Sequence, residues 1–305
     1  MFKSHCRLCN ADKELQLSHI VPAFIFRWVR ETSANGHLRF GMNPNLRVQD
    51  GLKRHWLCAE CEGILSRIET SFAEKLFYPY LKGTDSIQYE EWLLRFCVSV
   101  SWRVLTFYKE ETQLDKNYGH EALQRIVEAD TAWKMFLLGK SEHPGRFHQH
   151  LIPLDAIESI SNAKTDLSPN LNRYLMRTVD MDLCRSQITN FVYCKIPRFV
   201  ILGSIHEEHP NQWHGTKVRL KKGLIQPQRY TLPRAFFEYL NGKARREIEL
   251  SSSISPRQRE RIEQSFRANA ENFVGSDAFT AMQNDIEMFG DDAFTWHEAE
   301  NDPAP

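Results

Sequence analysis

The sequence predicts an α+β fold, and three observations predict it. Apolar residues at helical spacing fill much of the first half, β-rich runs cluster between residues 174 and 205, and helical spacing returns after residue 233. Two Cys-x-x-Cys pairs in the first 61 residues add a metal-stabilised unit ahead of that mixed region.

Taken in order, residues 1–82 are punctuated by Cys pairs, Asn, Gly and Pro. A β-like stretch covers 15–17. A short helix is expected over 22–31, with Pro22 in its first turn and Phe24, Trp28 and Val29 at helical spacing. Residues 33–52 read as turns with short strands, for example Leu38 to Phe40. From Cys61 a second helix carries Ile64, Leu65, Ile68, Phe72, Leu76 and Phe77, and Pro79 is expected to end it. A long buried helix is expected over 86–111 and another over 119–139, followed by a His-rich loop at 143–150. Residues 174–184, 190–196 and 198–205 read as strands of a small antiparallel sheet, and 216–220 as a further strand. Helices are expected at 233–240 and 256–273. No Lys or Arg occurs after Gly275, so 275–305 is expected to be an acidic, partly disordered tail. The expected organisation is 1–82, 83–274 and 275–305.

Bulk numbers narrow the partners. Of 305 residues, 42% are hydrophobic and 26% charged, which suits a globular chain with a sizeable core. Formal net charge is zero, so an argument for nucleic acid has to be local. No apolar run approaches the roughly 20 residues that span a bilayer, and no membrane partner is expected. The opening residues lack the apolar region of a signal peptide, so a cytoplasmic location is expected. In a reducing compartment, paired cysteines favour metal over disulfides. Cys97, Cys184 and Cys194 sit in apolar stretches and are expected in the core.

Cys6-Arg7-Leu8-Cys9 and Cys58-Ala59-Glu60-Cys61 have the two-residue spacing that lets both thiolates of a pair reach one tetrahedral ion. Four thiolates leave no position for water, so Zn²⁺ held by Cys6, Cys9, Cys58 and Cys61 is expected to be structural. Between the pairs stands Ser18-His19-Ile20-Val21-Pro22, and Glu62 follows Cys61.

This arrangement resembles the zinc-stabilised HNH endonucleases, over about residues 1–75. Members read C-x-x-C, then Asp-His-Ile-x-Pro, then a loop Asn, then L-C-x-x-C-His. The resemblance implies a treble-clef, ββα-metal unit and a nuclease, in bacterial or phage defence settings. It implies His19 as the general base that takes a proton from water, with Mg²⁺ or Mn²⁺ neutralising charge on the phosphate. Two positions depart from the pattern: Ser18 stands where the family has Asp or His, and Glu62 where it has His or Asn. Glu62 and Asp50 are the carboxylates that could hold a hard cation, and Asn43 or Asn45 is the loop asparagine. The alternatives are a helix first-turn role for Glu62, a turn role for Asp50 before Gly51 and a structural hydrogen bond for His19.

The unit is locally basic. Arg39, Arg47, Lys53 and Arg54 could neutralise phosphates, and Trp56 could stack on an unpaired base. A second basic run spans Lys217 to Arg246. The expected partner is nucleic acid, DNA ahead of RNA, with residues 83–274 free to dock a protein. The rival expectation is a non-catalytic zinc-stabilised module that binds nucleic acid or protein.

Overall fold

The computed structural model describes residues 3–33, 36–41, 43–157, 166–186, 189–226 and 230–294. Arg229 and residues 295–305 of the tail lie outside them. The fold is α+β with small antiparallel sheets.

The chain begins with β1 (Lys3–His5), β2 (Asp12–His19), α1 (Ala23–Glu31), β3 (Leu38–Phe40), β4 (Asn43–Val48) and β5 (Lys53–Cys58). Next comes α2 (Ala59–Phe72), which runs through a π-helical turn at Ala73–Phe77 into α3 (Tyr78–Leu81). Pro79 therefore does not stop the helix. It takes a first-turn position of α3, where its missing N–H removes no needed bond.

β6 (Ile87–Glu90) precedes α4 (Glu91–Glu111), so the expected helix starts five residues late. Ile87 and Tyr89 are buried while Gln88 and Glu90 are exposed, the alternation of a strand. α5 (Leu114–Asn117), α6 (His120–Leu137) and β7 (Gln149–Pro153) follow. α7 (Leu171–Arg177) takes up the start of the strand expected over 174–184, and only β8 (Asp180–Arg185) is extended there. β9 (Thr189–Ile196) and β10 (Phe199–Glu207) match expectation. The strand expected at 216–220 is reduced to a single bridge, His150 with Lys217, and the extended segment falls at β11 (Lys222–Ile225). The chain closes with α8 (Arg234–Ser252), α9 (Pro256–Ala268), α10 (Ala270–Phe273) and α11 (Asp277–Phe289), the last inside the segment expected to be partly disordered.

The chain divides into two compact units. The first comprises Met1–Phe24, Gly51–Pro153 and Val179–Thr231. It holds the sheets β1-β2-β5, β7-β10-β9-β8 and β11-β6. α4 is its central helix: Phe96, Cys97, Val100, Trp102 and Val104 are buried, and α4 lies against β7, β8, β9 and β10. Each such side chain contributes roughly 1.5–3 kcal/mol of burial. Gly203 on β10 permits the close approach, since a Cβ there would lie 2.7 Å from Ser101 Oγ. Phe72 stacks on Phe96 with ring centroids 3.7 Å apart, which ties α2 to α4.

The second unit comprises Ile25–Asp50, Leu154–Thr178 and Leu232–Pro305. α7 packs against α8 and α11, and β3 and β4 form a hairpin. The Arg177 guanidinium lies 4.6 Å from the Trp28 ring centroid and donates to Val29 O at 3.0 Å. Among the described residues, no helix is long and apolar enough to cross a membrane.

Candidate metal centre and the polar strip beside it

Local chain geometry brings each cysteine pair together. The loop between β1 and β2 is a tight knuckle: Asn10 N–H donates to Cys6 O at 2.8 Å, and Cys6 N–H to Ala11 O at 2.9 Å. Asn10 closes it with φ +62°, a left-handed conformation that Asn tolerates better than most residues. The second pair straddles a helix start. Cys58 is the extended last residue of β5, and Cys61 lies in the first turn of α2. Cys58 faces Leu15 in the β2–β5 register, and Arg7 N–H donates to Trp56 O at 2.8 Å, so the two pairs meet.

The four sulfurs all lie within 4.8 Å of one another, with Cys9 Sγ and Cys58 Sγ 3.9 Å apart. Tetrahedral Zn–S bonds of about 2.3 Å place sulfurs about 3.8 Å apart, so the cluster is close to that size. Cys58 N–H points at Cys6 Sγ at 3.4 Å. Cys6, Cys58 and Cys61 are buried and Cys9 half-buried. Burial pushes the Cys9 thiol up, and the Cys61 thiol far above the usual thiol range. At Cys6 burial also acts upward, but backbone N–H groups of Cys9, Cys58 and Leu8 outweigh it and lower the thiol to about 7. Four adjacent thiolates require a cation to neutralise them. The donor set, its spacing and its N–H···S contact fit a metal ion such as zinc.

Beside the cluster, β2 ends on Ser18 and His19. Ser18 is buried, and its hydroxyl donates to Glu62 Oε2 at 2.6 Å. Glu62 lies in the first turn of α2 because it follows Cys61. His19 pairs with Lys53 across β2–β5 and is half-buried. Its carbonyl accepts from Arg103 Nη1 of α4 at 3.1 Å. The same Nη1 meets Glu69 Oε1 at 2.7 Å, and Nε donates to Ser99 O at 3.2 Å. Arg103 is 3% exposed.

Ser18 and Glu62 are thus brought together next to His19. Asn45 and Asp50 belong to the second unit. Asn45 spends its amide on the α8–α9 turn, donating to Ser253 O at 3.0 Å and accepting from Ser255 N–H at 2.8 Å. Among the described residues, no second group of three or more His, Cys, Asp or Glu ligand atoms gathers as the cysteines do.

The basic candidates divide. Trp56 is 2% exposed and its Nε1 donates to Glu110 Oε2 at 2.8 Å, so it is a core residue and its ring has no free face for a base. Arg54 pairs with Glu111 at 2.6 Å and lies over the Phe107 ring, which spends its charge inside the unit. Lys53 is half-buried opposite His19. Arg39 and Arg47 face each other across the β3–β4 hairpin. In the second basic run, Lys217 Nζ lies 3.2 Å from His148 Nε2, while Arg234 and Arg245 are paired with Glu238 and Asp166.

Comparison of the chain with protein-family models, with curated proteins and with solved structures finds no match.

Two residues of the strip escaped sequence reasoning. Arg103 is a charged residue within an otherwise apolar helical stretch, and that was its signal. Glu69 lies seven residues after Glu62, two turns along the same face of α2.

Proposed function

We propose that the N-terminal part of the first unit is a zinc-stabilised, HNH-like endonuclease centre that hydrolyses nucleic-acid phosphodiesters, DNA ahead of RNA. The observation that carries the reading is the 2.6 Å contact between Ser18 Oγ and Glu62 Oε2. These are the two positions where the HNH pattern has its catalytic-metal ligands, and His19 follows directly. The order of knuckle, β2, β5 and α2 supports the treble-clef reading.

In this reading the four cysteines hold structural zinc and thereby lock β2 to α2. The His19 imidazole takes a proton from water as its oxygen attacks phosphorus, and the bond to the leaving oxygen breaks. The leaving oxygen then takes a proton from solvent. Glu62, an oxygen donor that suits Mg²⁺ or Mn²⁺, would hold the cation that neutralises charge on the phosphate. Ser18 aims the Glu62 carboxylate through its hydroxyl. Arg103 holds the His19 backbone. Asn45, engaged elsewhere, has no part.

A second reading rests on a specific observation: Ser18 is a weak metal ligand, and its hydroxyl already occupies one Glu62 oxygen. It makes the unit a zinc-stabilised binding module without catalysis. One experiment separates the two. Zinc-loaded protein is incubated with plasmid and Mg²⁺ or Mn²⁺ beside His19→Ala and Glu62→Gln. Cutting by wild type that falls at least about a hundredfold in each variant is expected. Cutting that persists in His19→Ala removes His19 from the mechanism, and no cutting by wild type with either ion leaves the binding module.

A further inference from the structure

Arg39 and Arg47 are direct partners across β3 and β4, so their side chains leave the hairpin on one face. Like charges set opposite each other in a sheet are destabilising. Among the described residues no carboxylate relieves this pair. Arg39 uses Nη1 on Pro44 O at 2.7 Å, while its Nη2 is buried without a partner. Arg47 has its Nε buried without a partner, and no hydrogen bond or ion pair of its guanidinium is present among the described residues. Buried donors left unpaired are rare in folded proteins, and two on facing guanidiniums point to an absent acceptor. Burial, and then the positive charge of Arg47, lower the pKa of Arg39, which places the two charges within mutual influence.

An acceptor that resolves both problems carries negative charge and at least two oxygens. A guanidinium fork matches phosphate in this way. We propose that Arg39 and Arg47 form a two-arginine clamp for a phosphate group. The clamp rests on the nuclease reading only for the source of that phosphate, the backbone of duplex DNA.

The test uses the full zinc-loaded chain without Mg²⁺ or Mn²⁺, so cleavage does not enter. Thermal midpoints are measured with and without inorganic phosphate, and binding of a labelled DNA duplex is measured across a salt series. The variants are Arg47→Gln, Arg39→Gln and Arg47→Lys. Arg47→Gln is expected to raise the midpoint without phosphate, because a repulsion is removed and no hydrogen bond is lost. Phosphate should then stabilise wild type and not Arg47→Gln. Each glutamine variant should weaken DNA about tenfold and reduce the salt slope by about 0.9. Arg47→Lys, with charge but no fork, should fall between.

Loss of the phosphate effect with unchanged DNA binding supports the clamp and assigns it a small phosphate ligand. Equal stabilisation of wild type and Arg47→Gln by phosphate overturns it. So does a lowered midpoint in Arg47→Gln alone, which would make the arginine a structural contact. A wild type that binds through the clamp but never cuts DNA refutes the nuclease reading and leaves this one standing.

Discussion

His150 shows how one buried ring can set an acid limit on the fold. It is nearly buried on β7, its Nδ1 lies 2.9 Å from Thr216 Oγ1, and its ring packs on Trp213. Burial first, then the positive charges of His148 and Lys217, push its pKa down from 6.5 to about 4. The unfolded ring takes up a proton as pH falls through 6.5, and the folded ring does so only near 4. Stability is therefore full above pH 6.5 and lost as pH falls toward 4, by about 3 kcal/mol for this group. Urea unfolding of wild type and His150→Asn at pH 7.5, 6 and 5 checks this. The variant should lose less stability on acidification, and parallel profiles would remove His150 as the cause. Any acid sensitivity of the four-cysteine group is common to both proteins and cancels in the comparison.

Secondary-structure elements were legible where their own spacing carried the signal. The α6 periodicity and the β9 and β10 runs needed no partner to be read. β6 is four residues long, and its register partner β11 lies more than 130 positions away, from Tyr89 to Gly223; no local pattern of that length separates strand from helix. α11 was obscured by the acidic composition around it. Asp285 on α11 accounts for its order: it is fully buried, accepts from Asn172 N–H at 2.8 Å, and meets Arg173 Nε at 2.7 Å. Burial raises its pKa, and the Arg173 guanidinium and the two backbone N–H groups act against that rise. Asp285→Ala leaves Arg173 and two N–H groups without their acceptor and should cost about 3 kcal/mol. Chemical unfolding measures it, and a loss below about 1 kcal/mol would show that α11 is held by its apolar contacts instead.

At the scale of the whole chain, the two units are interleaved: residues 24 and 25 are neighbours in sequence and fall in different units, as do 50 and 51. The four-cysteine group that could hold a metal ion lies wholly in the first. Chelation should therefore raise amide exchange in residues 3–24 and 51–72, while α7 and α11 of the second unit keep their protection. Hydrogen-exchange mass spectrometry with and without chelator reads this segment by segment. Equal loss in α11 would mean that the two units unfold as one.

The sequence by itself singled out the four cysteines that gather into one group able to hold a metal ion, because a two-residue spacing suffices to bring each pair together. It also determined the mixed class of the fold and most long helices, whose signals repeat within a turn. The contact of Ser18 with Glu62, 44 positions apart, and of His19 with Arg103, 84 apart, came from tertiary structure alone. So did the burial of Trp56 and the facing of Arg39 and Arg47. The reason is physical: spacing governs what a residue meets within its own turn, whereas strand register and helix packing decide which distant groups share a neighbourhood.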